Sequence, residues 1–453
     1  MMNLITIMID SLRFDHVGIN GNSWIRTPNL DALASKSVQF RNAFPESLPT
    51  LPVRKALFTG KRIFPYFNTW ELNHYWHPIP GWSPIDHDTP VMAEILGAKG
   101  YLTGFITDTY HLFRPAMNYH RGFEHWELIR GQEVDRSRSF ANHVMDYSPF
   151  LTEEMKKMHD VTFPMEIYMR KVAGRLHEEE WFPPKVFRAA ARWIEENYKA
   201  EKFFLWVDSF DPHEPWDPPK RYRDLYSPGY QGKEIIWPPY SLDLDFLTES
   251  ELKYMQACYA GEVTMVDTWL GYFLSMVEDL GLMENTIIVL LSDHGILLGD
   301  HGVTGKPQEA LYPELLKLNF FIKVPKQEPR AIDSMVYTHD YLPTLFYLLG
   351  EEIPEHVEGN NLWDLVEGKR SSFREYITSG LKTRVMAYDG RYWMFCRRDC
   401  SDVSLFDLKE DPGCNHNIAK DKQDVVDRFF SLVVKDAGGK LTILPDKIPR
   451  NFL

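Results

Sequence analysis

Leu4-Ile5-Thr6-Ile7-Met8-Ile9-Asp10 is the stretch on which the fold turns: an unbroken apolar, largely β-branched run closed by a carboxylate. Such a run reads as a strand buried on both faces, which belongs in a parallel sheet covered by helices. The same texture returns at 101–106, 203–207, 286–291 and 320–324. Helical patterns lie between these runs, at 91–99, 186–198 and 252–280. Thr27-Pro28-Asn29-Leu30-Asp31 opens another helix, with Thr27 expected to cap it and Pro28 suited to its first turn. Alternating strands and helices predict an α/β chain with a large, mainly parallel sheet flanked by helices. After about residue 370 the runs shorten: Arg384–Tyr388, 392–396 and 403–408, with a turn at Asp389-Gly390. A small antiparallel sheet with a helix over 423–434 is expected there. The division is therefore a large unit over 1–369 and a small α+β unit over 370–453. An insertion at about 113–180 shows no clean alternation and is expected to shape the pocket.

The chain of 453 residues is long enough for two or three domains, and 44% hydrophobic with 14% aromatic residues excludes a disordered chain. Its formal charge of −14 argues against nucleic acid, which is held by basic surfaces. Bulk charge says nothing of one cleft, so an anionic substrate stays open. Four cysteines are too few and too uneven for a disulfide framework. Cys396 and Cys400 have a C-x3-C spacing, but no partner pair stands nearby, and reduced structural thiols are expected. The first apolar run has no basic flank or cleavage site, and no run approaches a membrane span. A cytoplasmic protein with no membrane partner is the expectation.

In an open parallel sheet, ligands bind at the carboxyl ends of strands. Asp10 ends the first strand and Asp293-His294 follows the run 286–291, so two strand ends bring Asp, Asp and His to one edge. Either segment alone could be an ordinary turn. In Thr50-Leu51-Pro52-Val53-Arg54, Pro52 suits a first helical turn and Gly60 a stop. Thr50 then sits at a helix start, where backbone N–H groups favour an anion, and Arg54 can offer a bidentate fork one turn on. The plain alternative is a capping Thr with a surface Arg. The Gly-rich stretch from Asp293 through Gly299, Asp300 and His301 to Gly305-Lys306 is polar beyond what a connection needs. Asp211-Pro212-His213-Glu214-Pro215 presents a histidine between prolines, which alone reads as a loop residue.

Together these segments resemble the sulfatase family of the alkaline phosphatase superfamily. Thr50-Leu51-Pro52-Val53-Arg54 is similar to its Cys/Ser-x-Pro-x-Arg signature, and Leu57-Phe58-Thr59-Gly60-Lys61-Arg62 continues it. Thr27 to Ala34, Gly100 to Thr103, His339 to Thr344 and Leu405 to Pro412 match further segments in order. Ser292-Asp293-His294-Gly295 and Thr107-Asp108-Thr109 look most like the phosphonate monoester hydrolase and phosphodiesterase branch. The resemblance implies an alkaline phosphatase-like sandwich. It also implies one divalent metal ion held by Asp10, Asp293, His294 and Thr50. Thr50 would be the nucleophile, with Arg54, His213 and Lys306 on the transferred group, His213 or His301 protonating the leaving oxygen, and Thr107 lining the pocket. It further suggests a homo-oligomer.

Two departures bear on chemistry. Ser11 stands where many members place a second metal-binding Asp, and with His294 this favours Mn2+, Zn2+ or Fe2+ over Ca2+, which remains open. Family sulfatases oxidise Cys or Ser at the Thr50 position to formylglycine, whereas the methyl on a threonine Cβ prevents an aldehyde. The expected activity is hydrolysis of phosphate diesters or phosphonate monoesters through a covalent Thr50 intermediate. Sulfate ester hydrolysis and an inactive, substrate-binding site are the alternatives. The expected partner is a small phosphate, phosphonate or sulfate ester.

Overall fold

The computed structural model describes residues 2–66, 79–138 and 146–444. Among these residues fourteen strands run in chain order. They are β1 (Asn3–Ile9), β2 (Val38–Phe44), β3 (Leu102–Thr107), β4 (His125–Leu128), β5 (Phe203–Ser209), β6 (Thr286–Ser292), β7 (Leu297–Leu298), β8 (Thr304–Gly305), β9 (Phe320–Lys323), β10 (Arg330–Tyr337), β11 (Ile377–Leu381), β12 (Arg384–Tyr388), β13 (Tyr392–Arg397) and β14 (Ser404–Asp407). Eight form one sheet in the order β10-β2-β9-β6-β1-β5-β3-β4. Every pair is parallel except those of β9, which runs antiparallel to both β2 and β6. The opening run sits in its centre: β1 pairs with β5 and β6, and its side chains divide between two cores. Leu4 and Met8 join the cluster under helices Thr50–Thr59, Met92–Ala98 and Tyr341–Leu349. Ile5, Ile7 and Ile9 join the opposite one, under Pro28–Ser35, Phe182–Asn197 and Glu249–Asp279. Burial on both faces is why β1 shows no polar alternation. The expected α/β class, with its mainly parallel sheet, is the observed one.

The second sheet is antiparallel, β11-β12-β13-β14, and helix Gln423–Asp436 packs Val426, Phe429 and Val433 into a third core with Val385 and Met394. The expected cap is displaced. Thr27 makes no capping bond at helix Pro28–Ser35; its Oγ1 accepts from Gly18 N (2.8 Å), while Asp267 accepts from Leu30 N (2.7 Å) and Asn29 N (3.3 Å). Part of the expected insertion, 139–145, and the end of the expected C-terminal unit, 445–453, lie outside the described residues. Trp126, within that insertion, is half exposed on β4 against Phe113 and His120. Cys396 and Cys400 are free thiols, and no cysteine joins a metal-type cluster among the described residues. No helix among them is long and apolar enough to cross a membrane.

Candidate active site

Three adjacent strands, β6, β1 and β5, end at the same edge of the sheet and carry Asp293, Asp10 and Asp208 there. Parallel pairing forces this convergence, because Ile9 stands in register with both Ser292 and Ser209. Helix Thr50–Thr59 starts against this edge, and Gly60, with φ 68°, ends it in the left-handed conformation that favours glycine.

Arg54 does not point at an open anion site. Its Nε and Nη2 grip Asp208 Oδ2 and Oδ1 (2.8 and 2.7 Å), and Nη1 donates to Asp293 Oδ2 (2.6 Å) and Thr50 O (3.2 Å). Nη2 also lies 3.1 Å from Asp10 Oδ2. The guanidinium expected on the transferred group is thus buried among three carboxylates, with its hydrogen bonds directed to Asp208 and Asp293. Asp208, which the sequence reading passes over, is further held by Thr109 Oγ1 (3.0 Å) and Trp206 Nε1 (3.2 Å). Burial works against the Arg54 charge, and Asp208, Asp293 and Asp10 together overcome it.

Three buried carboxylates facing one guanidinium leave an excess of negative charge. Burial and the neighbouring Asp293 raise the Asp10 carboxyl well above the usual range, with Arg54 opposing. Asp293 goes the other way: burial would raise it, but His294 and Arg54 hold it low. Ser11, at φ 56°, donates Oγ–H to Asp10 Oδ1 (2.9 Å) and N–H to Asp293 Oδ1 (3.0 Å). His294 Nδ1 donates to Gly295 O (2.8 Å), which turns Nε2 toward Asp293 Oδ2 (3.5 Å), Asp10 Oδ1 (3.8 Å) and Thr50 Oγ1 (3.4 Å). Gly295 permits this turn, since a Cβ there would meet the Glu314 carbonyl at 2.0 Å. Asp10, Asp293 and His294 place their ligand atoms within 4.8 Å of one another. Asp10 Oδ2 is buried with no hydrogen-bond partner among the described residues. A divalent cation fits these donors.

Thr50 also opens on a cavity of about 520 Å³ lined by Glu133, His213, Glu214, Tyr240 and Lys306, among others. Lys306 Nζ donates to His213 Nε2 (3.0 Å) and Glu214 Oε2 (3.3 Å), and His213 Nδ1 donates to Glu214 O (2.8 Å). His213 is thus a neutral imidazole, pushed down to about 4 by burial. Burial opposes ionisation of Glu214, yet His213 and Lys306 hold it at about 2. Glu133, His213 and Glu214 also stand at metal-ligand spacing, but the Lys306 ammonium already supplies the cation for that group. Gln132 Nε2 ties this wall together by donating to Asp108 Oδ2 (2.9 Å) and Asp211 Oδ1 (2.6 Å).

Two expected residues stand apart. His301 stacks on Tyr312 (3.7 Å between centroids) and contacts Glu314 at 3.3 Å; it does not line the Thr50 cavity. Thr107 is no lining residue either: its buried Oγ1 accepts from Thr109 N (2.9 Å) and shapes the turn that delivers Thr109 to Asp208.

The Sulfatase family profile matches residues 2–351. The chain is 25% identical to an arylsulfatase of Clostridium perfringens, over 97% of this chain and 95% of that protein. It is 26% identical to the multifunctional alkaline phosphatase superfamily protein PehA of Trinickia caryophylli, over 92% and 91%. The fold superposes on the phosphonate monoester hydrolase of Agrobacterium radiobacter with a TM-score of 0.73 at 19% identity, covering 97% of this chain and 96% of that one.

Proposed function

Because the chain belongs to the sulfatase family of the alkaline phosphatase superfamily, whose members are ester hydrolases, we propose that its Thr50 cavity hydrolyses phosphate diesters or phosphonate monoesters. The observation that carries this reading is the nucleophile itself. Thr50 lies 3.4 Å from His294 Nε2 of the Asp10–Asp293–His294 group and lines one cavity with Lys306, and it offers one hydroxyl on a carbon that cannot become an aldehyde. A covalent adduct on it must be resolved by a second attack at the transferred centre, which suits phosphorus. The phosphonate monoester hydrolase fold and the multifunctional relative support the same direction.

Held by Asp10, Asp293, His294 and the Thr50 oxygen, a divalent ion, Mn2+ or Zn2+ by the imidazole in the donor set, supplies positive charge that lowers a hydroxyl pKa and offsets non-bridging oxygens. The chain's own groups do the rest. Thr50 Oγ1 releases its proton to solvent water and forms the bond to phosphorus, and the bond from phosphorus to the departing alcohol breaks. Lys306 hands a proton to that alcohol oxygen, and neutral His213 fixes the ammonium in place. Water then attacks phosphorus, giving a proton to the now neutral Lys306, the bond from phosphorus to Thr50 Oγ1 breaks, and solvent returns a proton to the threonine oxygen. Arg54 acts at one remove, keeping Asp10 and Asp293 in position rather than touching the ester.

The arylsulfatase relative favours a second reading, sulfate ester hydrolysis. A panel of a phosphate diester, a phosphonate monoester and an aryl sulfate, assayed with added Mn2+, separates them. Turnover of the phosphorus esters is expected, with Thr50→Ala slower by at least about 10³-fold. A rate on the sulfate alone overturns the phosphorus reading, and full activity of Thr50→Ala overturns the nucleophile. No turnover of any ester by the wild type leaves a binding protein.

A further inference from the structure

Beside the Thr50 cavity lies a larger one of about 720 Å³, and the two share Tyr110, Val134 and Pro164 along their boundary. Its charged lining consists of Arg114, Arg130 and Arg136 against the single acid Asp135. That acid is fully engaged: Arg130 grips it through Nε and Nη2 (2.6 and 2.5 Å), and Gly131 N donates to it at 2.9 Å. Arg114 lies over the Tyr110 ring at 5.2 Å. Arg136 makes no ion pair or hydrogen bond among the described residues, so its guanidinium is available. In a chain of net charge −14, this concentration of arginine beside a catalytic cavity is a local reversal of sign.

The segment that carries it is firmly built. Lys171 Nζ, buried beneath, donates to the carbonyls of Gln132 (3.2 Å) and Asp135 (2.9 Å). Glu133, at φ 38°, turns the opposite way, into the Thr50 cavity, where Oε2 accepts from His111 Nε2 (2.9 Å). One rigid turn therefore sets a carboxylate between two cationic regions, Lys306 on one side and the arginines on the other. An ester with anionic groups at both ends would straddle it, each end meeting a cation and neither sitting on Glu133.

We infer that the arginine-lined cavity is a binding subsite for a second anionic group (carboxylate, sulfate or phosphate) on the alcohol portion of the substrate. This rests on the Thr50 cavity being the catalytic one. Guanidinium forks suit oxyanions, and Phe113, Phe163 and Ile167 give the scaffold between the anions an apolar wall.

The test uses the full chain with Mn2+ and two probes: an alkane bisphosphonate and the alkane monophosphonate of equal chain length. Calorimetry is expected to show the bisphosphonate binding at least about tenfold tighter to the wild type. Arg136→Ala should reduce that ratio severalfold and Arg136→Lys should retain most of it. Unchanged monophosphonate affinity reports that each variant is folded. Equal affinities for the two probes, or a ratio untouched by Arg136→Ala, overturn the subsite. Wild-type turnover of a phosphate diester, measured in parallel, separates the two failures. Turnover without a bisphosphonate preference refutes the subsite alone. The preference without turnover refutes the catalytic reading and leaves the anion site standing.

Discussion

Lys306 Nζ donates into His213 Nε2, a contact that suits the neutral imidazole which burial already favours. The imidazole titrates at about 4 when folded, below its usual 6.5, so the neutral form is the one the fold favours. By linkage, that contribution is present above pH 6.5 and lost as pH falls through about 4. The pH profile of kcat/KM is therefore expected to carry no histidine limb near 6.5 and to fall only toward pH 4. A limb near 6.5 that vanishes in His213→Gln would sink this assignment. Single residues also show where sequence runs out. Asp208 follows its apolar run much as Asp10 follows the first, so its place at a strand end was readable. That it captures the Arg54 fork was not, because the partners are 154 residues apart and only the packed sheet brings them together. His301 is placed outside the Thr50 cavity lining for a related reason: it has a φ of 55° and stacks on Tyr312, and spacing from Asp293 carries no such information.

At the level of elements, the strands that were legible are those buried on both faces. β1, β3, β5 and β6 read as continuous apolar runs because helices cover both sides of the sheet. β10, with residues such as Arg330 and Asp333, is half exposed at one edge, and β4 is short and exposed at the other. Neither has the composition of a core strand, and their pairing is decided by neighbours. β9 read correctly as a strand, but its antiparallel direction is set by the chain's path, which an apolar run does not encode. Packing between β3 and helix Phe182–Asn197 depends on Gly104, where a Cβ would lie 2.5 Å from the Trp193 ring. Gly104→Ala is expected to cost roughly 1–3 kcal/mol of stability by overpacking. Denaturant unfolding checks this, and metal affinity should not change; an unaltered midpoint would show that Trp193 yields freely.

For the whole molecule, the decisive quantity is the charge gathered at one sheet edge, where Asp10, Asp208 and Asp293 surround Arg54. A divalent ion bound there stabilises only the folded chain, by about 2.7 kcal/mol at a hundred times its Kd. A chelator should accordingly lower Tm and added Mn2+ restore it. Asp208→Asn, which loosens the guanidinium holding both ligand carboxylates, should weaken Mn2+ binding by about 10- to 100-fold. A Tm indifferent to Mn2+ would remove the metal from the site. The amino-acid sequence by itself determined the α/β class, the central buried strands, the placement of Asp10, Asp293-His294 and Thr50 at element ends, and the family. These are local facts, written in runs of apolar residues and in turn and cap chemistry. Only the tertiary structure decided that the Arg54 fork is buried against Asp208 and Asp293, that Lys306 and not His301 lines the cavity of Thr50, and that an arginine-lined cavity adjoins it. Those are facts of direction, and a side chain's direction follows from packing between segments far apart in the chain.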